Sequence, residues 1–209
     1  MIAAFVTGIV LGLPAGLSPG PFFALVVAQS LRHGAREGIK VALAPLLTDA
    51  PIVLISVLAV SRLSHFEVLL GTITLAGSIY VAWLANECFH ASGIDTASEP
   101  AAPDSLRKGI VVNFLNPHPY LFWLTVGAPL ILKGWGENPF AAVSFLASFY
   151  TCLVGAKSLI AVGTARSRRL FTGKTYLWIM RLLGALLFLF ALLLLWNAFE
   201  FFTAVKSHA

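Results

Sequence analysis

Residues 17–23 read Leu17-Ser18-Pro19-Gly20-Pro21-Phe22-Phe23, and residues 115–122 read Leu115-Asn116-Pro117-His118-Pro119-Tyr120-Leu121-Phe122. Each stretch is a small polar residue, then Pro-x-Pro, then aromatics. A proline inside a helix lacks an N–H and clashes with the preceding turn. Two prolines two residues apart read either as an ordinary kink or as a helix that stops and restarts. In the restart reading, Ser18 and Asn116 are N-caps. Pro19 and Pro117 take the first helical position, and Pro21 and Pro119 fall in the first turn, where no intrahelical partner for the N–H is needed. Gly16 and Gly20 supply loose backbone around the first break. A helix that restarts inside an apolar layer presents unpaired N–H groups and about half a positive charge, and such a start binds a carboxylate.

Outward from these motifs the chain is apolar almost everywhere. Of 209 residues, 58% are hydrophobic and 11% charged, with mean hydropathy +0.88. A soluble domain carries about 25% charged residues, so a soluble chain of this composition would expose one large apolar patch. Soluble, disordered and coiled-coil classes are excluded. The ~10-residue alternating strands of an outer-membrane barrel are missing as well. Apolar segments fall at about 1–31, 38–61, 67–88, 108–132, 139–165 and 176–199, near the ~20 residues a spanning helix needs. The expected fold is all-α: a polytopic membrane protein with six transmembrane helices, the first and fourth broken at proline. The opening Met-Ile-Ala-Ala-Phe has no basic leader, so the first segment is expected to stay in the mature protein. The polar, proline-containing stretch 91–106 is expected to be a mobile linker. It divides a single transmembrane domain into halves 1–90 and 107–209. Three spans per half force opposite orientations, the inverted-repeat arrangement in which transporters place the substrate between halves.

The net charge of +5 reports topology here rather than nucleic acid. Arg32, Arg36, Lys40, Arg107, Lys108, Arg166, Arg168, Arg169 and Lys174 lie in the odd-numbered loops, against Arg62, Lys133 and Lys206 on the other side. That bias places the odd loops and the linker in the cytoplasm and both termini outside.

Two ionisable residues fall well inside the apolar segments, Asp49 in span two and Lys157 in span five. Such residues are costly in lipid and usually functional. At 1.5 Å per residue they lie about 16 Å and about 12 Å from the cytoplasmic ends of their spans, close enough in depth to pair. The pair is either structural or a proton-coupling device, in which Asp49 takes a proton on one side and releases it on the other. Lys157 is also a candidate to hold a substrate carboxylate. Asn113 and Asn116 share a helix face, either at the break or bonding between helices. His118 is a candidate to face the cavity. Glu87, Glu200 and Arg181 read as interfacial, and Trp83, Trp178 and Trp196 as an aromatic belt. Cys88 and Cys152 form no metal or redox motif.

Taken together, these features resemble the LysE/RhtB family of amino-acid exporters. Pro19-Gly20-Pro21 is similar to that family's first-span signature, Ser30–Gly38 to its basic first loop, Asp49 to its span-two acid, and Asn113-Phe114-Leu115-Asn116-Pro117 to its fourth-span Asn-Pro motif. The resemblance covers essentially the whole chain. It implies a six-helix inner-membrane protein, often a homodimer, that exports small amino acids or related solutes against protons. Two features depart from the pattern: Thr48 stands where the family usually has glycine, and His118-Pro119 with the Lys157 segment look like features of a less characterised branch. The resulting expectation is a secondary transporter with no cofactor, metal site or catalytic residue. Ser18, Pro19, Gly20, Pro21, Asn113, Asn116, Pro117, His118 and Lys157 bind substrate, and Asp49 with Lys157 couples protons. A transporter of metal ions or other small solutes and a membrane thiol-redox protein are the alternatives.

Overall fold

The computed structural model describes residues 1–59, 66–90, 103–167 and 174–207. Every described element is helical: α1 (Ile2–Leu17), α2 (Pro21–His33), α3 (Ala35–Ala59), α4 (Phe66–Phe89), α5 (Ser105–Phe114), α6 (Pro117–Phe122), a π-helical turn (Trp123–Gly127), α7 (Ala128–Glu137), α8 (Pro139–Ser167) and α9 (Lys174–Ser207). Three described helical stretches are long and apolar enough to cross a bilayer: Ala35–Ser56, Pro139–Ser167 and Leu177–Glu200. The bent pair α1–α2 makes a fourth if it is one span. The expected segment at 67–88 falls on α4. The one at 108–132 falls on the run α5 to α7, whose pieces are 10, 6, 5 and 10 residues long and so individually short of a span. Much of the expected linker, residues 91–102, and with it the expected mobility, lies outside the described residues. Its end is earlier than expected, because Ser105 and Leu106 already belong to α5.

Both Pro-x-Pro motifs interrupt the helix. The second does so as read from the sequence: Asn116 is the N-cap of α6, its side chain accepts from the His118 N–H at 3.1 Å, and Pro117 is at the first position. The first is displaced by two residues. The chain bends 63° between α1 and α2, and α2 is capped by Gly20 with Pro21 at its start, instead of by Ser18 with Pro19. The residue before a proline is pushed away from helical angles, and glycine is itself a poor helix residue. Gly20 carries both penalties and is fully extended (φ −177°, ψ −178°). His118 carries only the first, which the Asn116 cap offsets.

Gly8, Gly12 and Gly16 form one buried stripe on α1. A methyl group at Gly12 would collide with the Phe149 backbone of α8, and one at Gly16 would meet the Leu153 carbonyl. Small residues at this spacing let two helix backbones touch. α4 and α9 form the other extensive helix pair. One apolar cluster runs through α2, α3, α4, α5 and α9, and a second joins α3, α6, the π turn and α8. Outward-facing leucines and aromatics such as Leu159, Phe140, Trp178 and Leu182 remain exposed, as lipid-facing surface requires.

Arg32, Glu87 and Lys108 meet at one end of this bundle. Glu87 Oε2 lies 2.7 Å from Lys108 Nζ and 3.6 Å from Arg32 Nη1, and Lys108 also sits over the Trp83 ring. Nearby, the Ser105 hydroxyl donates to Gln29 Oε1 at 3.0 Å in a buried bond from α5 to α2.

Candidate functional site

A cavity of about 470 Å³ opens where the two apolar clusters meet, beside both helix breaks. Of the residues singled out in the sequence, Ser18, Pro19, Gly20, Pro21, Asp49, Asn113, Asn116, His118 and Lys157 line it. Pro117 is buried at the start of α6 and is not on the wall. Phe22, Phe23, Phe122, Trp123, Phe149 and Leu153 make most of the remaining wall apolar, and Asn197 of α9 joins it.

Asp49 is 4% exposed and draws donors from four elements. Asn113 Nδ2 on α5 donates to Oδ1 at 2.8 Å. The indole N–H of Trp123, in the π turn, donates to Oδ2 at 3.3 Å, and the Tyr150 hydroxyl of α8 donates to the same oxygen at 3.2 Å. The Thr48 hydroxyl of α3 shares its one proton between Oδ1 (3.4 Å) and the Ala44 carbonyl (3.1 Å), while accepting from Asn113 Nδ2 at 2.6 Å. Local structure aims these groups. The Trp123 ring lies over Gly127, where any side chain would collide with it, so the π turn seats the indole. The Tyr120 hydroxyl donates to the Phe114 carbonyl at 2.9 Å, satisfying an orphan group at the end of α5 and fixing the break that presents Asn113. The two asparagines thus divide the alternatives between them: Asn113 bonds across helices and Asn116 caps the restart.

Lys157, 5% exposed, donates from Nζ to the Gly16 carbonyl at 3.2 Å and lies 5.2 Å from the centre of the Phe22 ring. The expected Asp49–Lys157 ion pair is not formed: no salt bridge among the described residues joins them. Depth fixes one coordinate of a side chain and leaves its direction around the helix open. Both charges reach the same cavity: Asp49 is ringed by donors, whereas Lys157 is bonded to a single backbone carbonyl.

Trp123, Tyr150 and Thr48 were not identified from the sequence as partners of Asp49. Aromatics are ordinary in apolar segments and carry no signal by themselves. Tyr150 had one, since it stands seven residues before Lys157, on the same helix face. Glu87, read as interfacial, is half-buried in ion pairs to two other helices. Cys88 is buried and Cys152 half-buried, and neither is in a disulfide. Among the described residues, no three His, Cys, Asp or Glu side chains cluster so as to hold a metal ion.

The chain is 27% identical over 159 residues to the chemotactic transduction protein ChpE of Pseudomonas aeruginosa, covering 71% of this chain and 76% of that one. It is 26% identical over 115 residues to a leucine efflux protein of Klebsiella pneumoniae, covering 52% of this chain and 54% of that one. No solved structure matches. The model of the LysE-type translocators matches residues 14–198, a range that contains both helix breaks, Asp49 and Lys157. The chain therefore belongs to the LysE-type translocator family, whose members are membrane transporters and not enzymes.

Proposed function

We propose that this transporter exports an amino acid or similar small zwitterion across the cytoplasmic membrane in exchange for protons. In this reading six membrane-crossing segments form two inverted halves, each opened by a proline-broken helix, with both termini outside. The observation that carries the proposal is the placing of two unlike, deeply buried charges, Asp49 and Lys157, on one cavity between the two breaks. The relative described as a leucine efflux protein supports an amino-acid substrate. The substrate carboxylate is met at Lys157 and at the start of α2. Asp49 carries the proton, and its four donors come from four different elements. Protonation requires at least one donor to turn away or become an acceptor; the Thr48 and Tyr150 hydroxyls can do so by rotating and the Asn113 amide by flipping, while the Trp123 indole N–H can only donate.

The test uses purified protein in proteoliposomes with a trapped pH dye and a panel of amino acids. Wild type is expected to move protons when one of them is added, and Asp49→Asn to show no flux above protein-free vesicles while remaining folded. Equal flux in Asp49→Asn would remove Asp49 from the coupling role. Absence of flux for every amino acid in folded wild type would remove the substrate class.

A further inference from the structure

The cavity treats the two ends of a zwitterion unequally. Four groups aim donors at Asp49, and a carboxylate has about four acceptor sites. An incoming ammonium must therefore compete with donors already in place, the weakest being the Thr48 hydroxyl at 3.4 Å, whose proton is shared with the Ala44 carbonyl. None of the other side chains on the wall carries a negative charge.

Lys157 is in the reverse condition. Its ammonium has three N–H donors, of which one is given to the Gly16 carbonyl. It is deeply buried, and no carboxylate of a described residue lies within ion-pair distance. A buried cation without a counter-charge is unfavourable, and a bound anion relieves it. The ammonium lies near the Phe22 ring, at the N-terminus of α2. The Ala24 N–H there is already bonded to the Gly20 carbonyl at 3.0 Å, whereas Phe22 and Phe23 have no intrahelical acceptor for theirs. A cation with unused donors and two orphan N–H groups converge on one part of the wall, and aromatic and aliphatic side chains form the rest.

We infer that the cavity recognises its substrate through the carboxylate alone, so that aliphatic monocarboxylates with an apolar body are ligands whether or not they carry an α-ammonium group. This rests on the reading of the cavity as the transport site. It widens the substrate class from amino acids to the corresponding 2-oxo acids.

The experiment measures the unfolding midpoint of the full chain in lipid nanodiscs by tryptophan fluorescence. Three probes share one branched apolar body: L-leucine, α-ketoisocaproate, which lacks the ammonium, and isoamylamine, which lacks the carboxylate. Leucine and α-ketoisocaproate are expected to raise the midpoint with the logarithm of ligand concentration once it exceeds Kd, and isoamylamine to leave it unchanged. Lys157→Met replaces an uncompensated buried charge with an apolar chain and is expected to fold. Its affinity for both carboxylates should fall by about thirtyfold or more. Binding of leucine and isoamylamine without α-ketoisocaproate overturns the inference and leaves amino-acid export standing. Binding of α-ketoisocaproate without leucine also overturns the inference, because the ammonium then excludes the ligand, and it removes leucine as a substrate. Unchanged affinity in Lys157→Met overturns the inference, as does binding of none of the three, while the proteoliposome panel decides the amino-acid reading separately.

Discussion

Tyr150→Phe removes one hydroxyl and leaves the ring in place. Its cost isolates what a single donor gives the Asp49 carboxylate, about 1.5–3 kcal/mol for a hydrogen bond to a charged group. Asn113→Leu should cost more. It takes away one donor to Asp49 and one to Thr48, and it leaves buried acceptors unsatisfied. Thermal or denaturant unfolding in detergent checks the order of the two variants, and a milder Asn113→Leu would contradict the geometry. At this scale Asp49 and Lys157 were legible because charges are rare in an apolar chain and each must have a reason. Their partners were not. Trp123 gains its meaning only from where four elements converge, and the spacing of Tyr150 from Lys157 and the adjacency of Thr48 to Asp49 do not by themselves show that both turn to the carboxylate. The ion pair inferred from matching depths failed for the same reason.

Among the elements, the two breaks show how far a motif specifies geometry. Pro-x-Pro announces that a helix stops. The flanking residue decides where it restarts: Asn116 has a side chain that caps its break, whereas Gly20 has none and is held extended before Pro21. The contact between α1 and α8 was not anticipated at all, although Gly8, Gly12 and Gly16 stand at four-residue spacing. Gly12→Leu must force two touching backbones apart. It should cost at least about 3 kcal/mol, the upper range for overpacking. The control is Gly155→Leu on α8, which meets nothing within 4 Å and should be neutral or mildly stabilising, since leucine is the better helix former. Unfolding midpoints of the two variants compare them directly. A Gly12→Leu protein as stable as wild type would show that the helices can separate there without penalty.

For the whole molecule, the loop charges predict a sidedness that contact geometry cannot supply. Single cysteines at Arg36, Ser92 and Ser167, in a background with Cys88 and Cys152 replaced by serine, should react with an impermeant maleimide only when the cytoplasmic face is exposed. A cysteine at Ser207 should react from the opposite face. Labelling of Arg36 and Ser207 positions from the same side would break the six-crossing arrangement. The all-helical membrane class was legible from composition, because lipid leaves a chain few ways to satisfy its backbone. The number of crossings was harder to read, because the run α5 to α7 is divided by a cap, a π turn and a proline into pieces that hydropathy averages together.

Phe149 belongs to two structures at once. Its backbone lies against Gly12, and its side chain forms part of the cavity wall. The far side of α1 is exposed at Val10 and Leu13, where acyl chains would lie. A bilayer thinner or thicker than the apolar length of α1 is accommodated in part by helix tilt. Tilt of α1 about the glycine stripe presses on the Phe149 backbone with no compliant side chain between them. Membrane thickness thus becomes an input to the shape of the cavity, and under the proposed function the same chain should handle the same solute at different rates in short-chain and long-chain lipids.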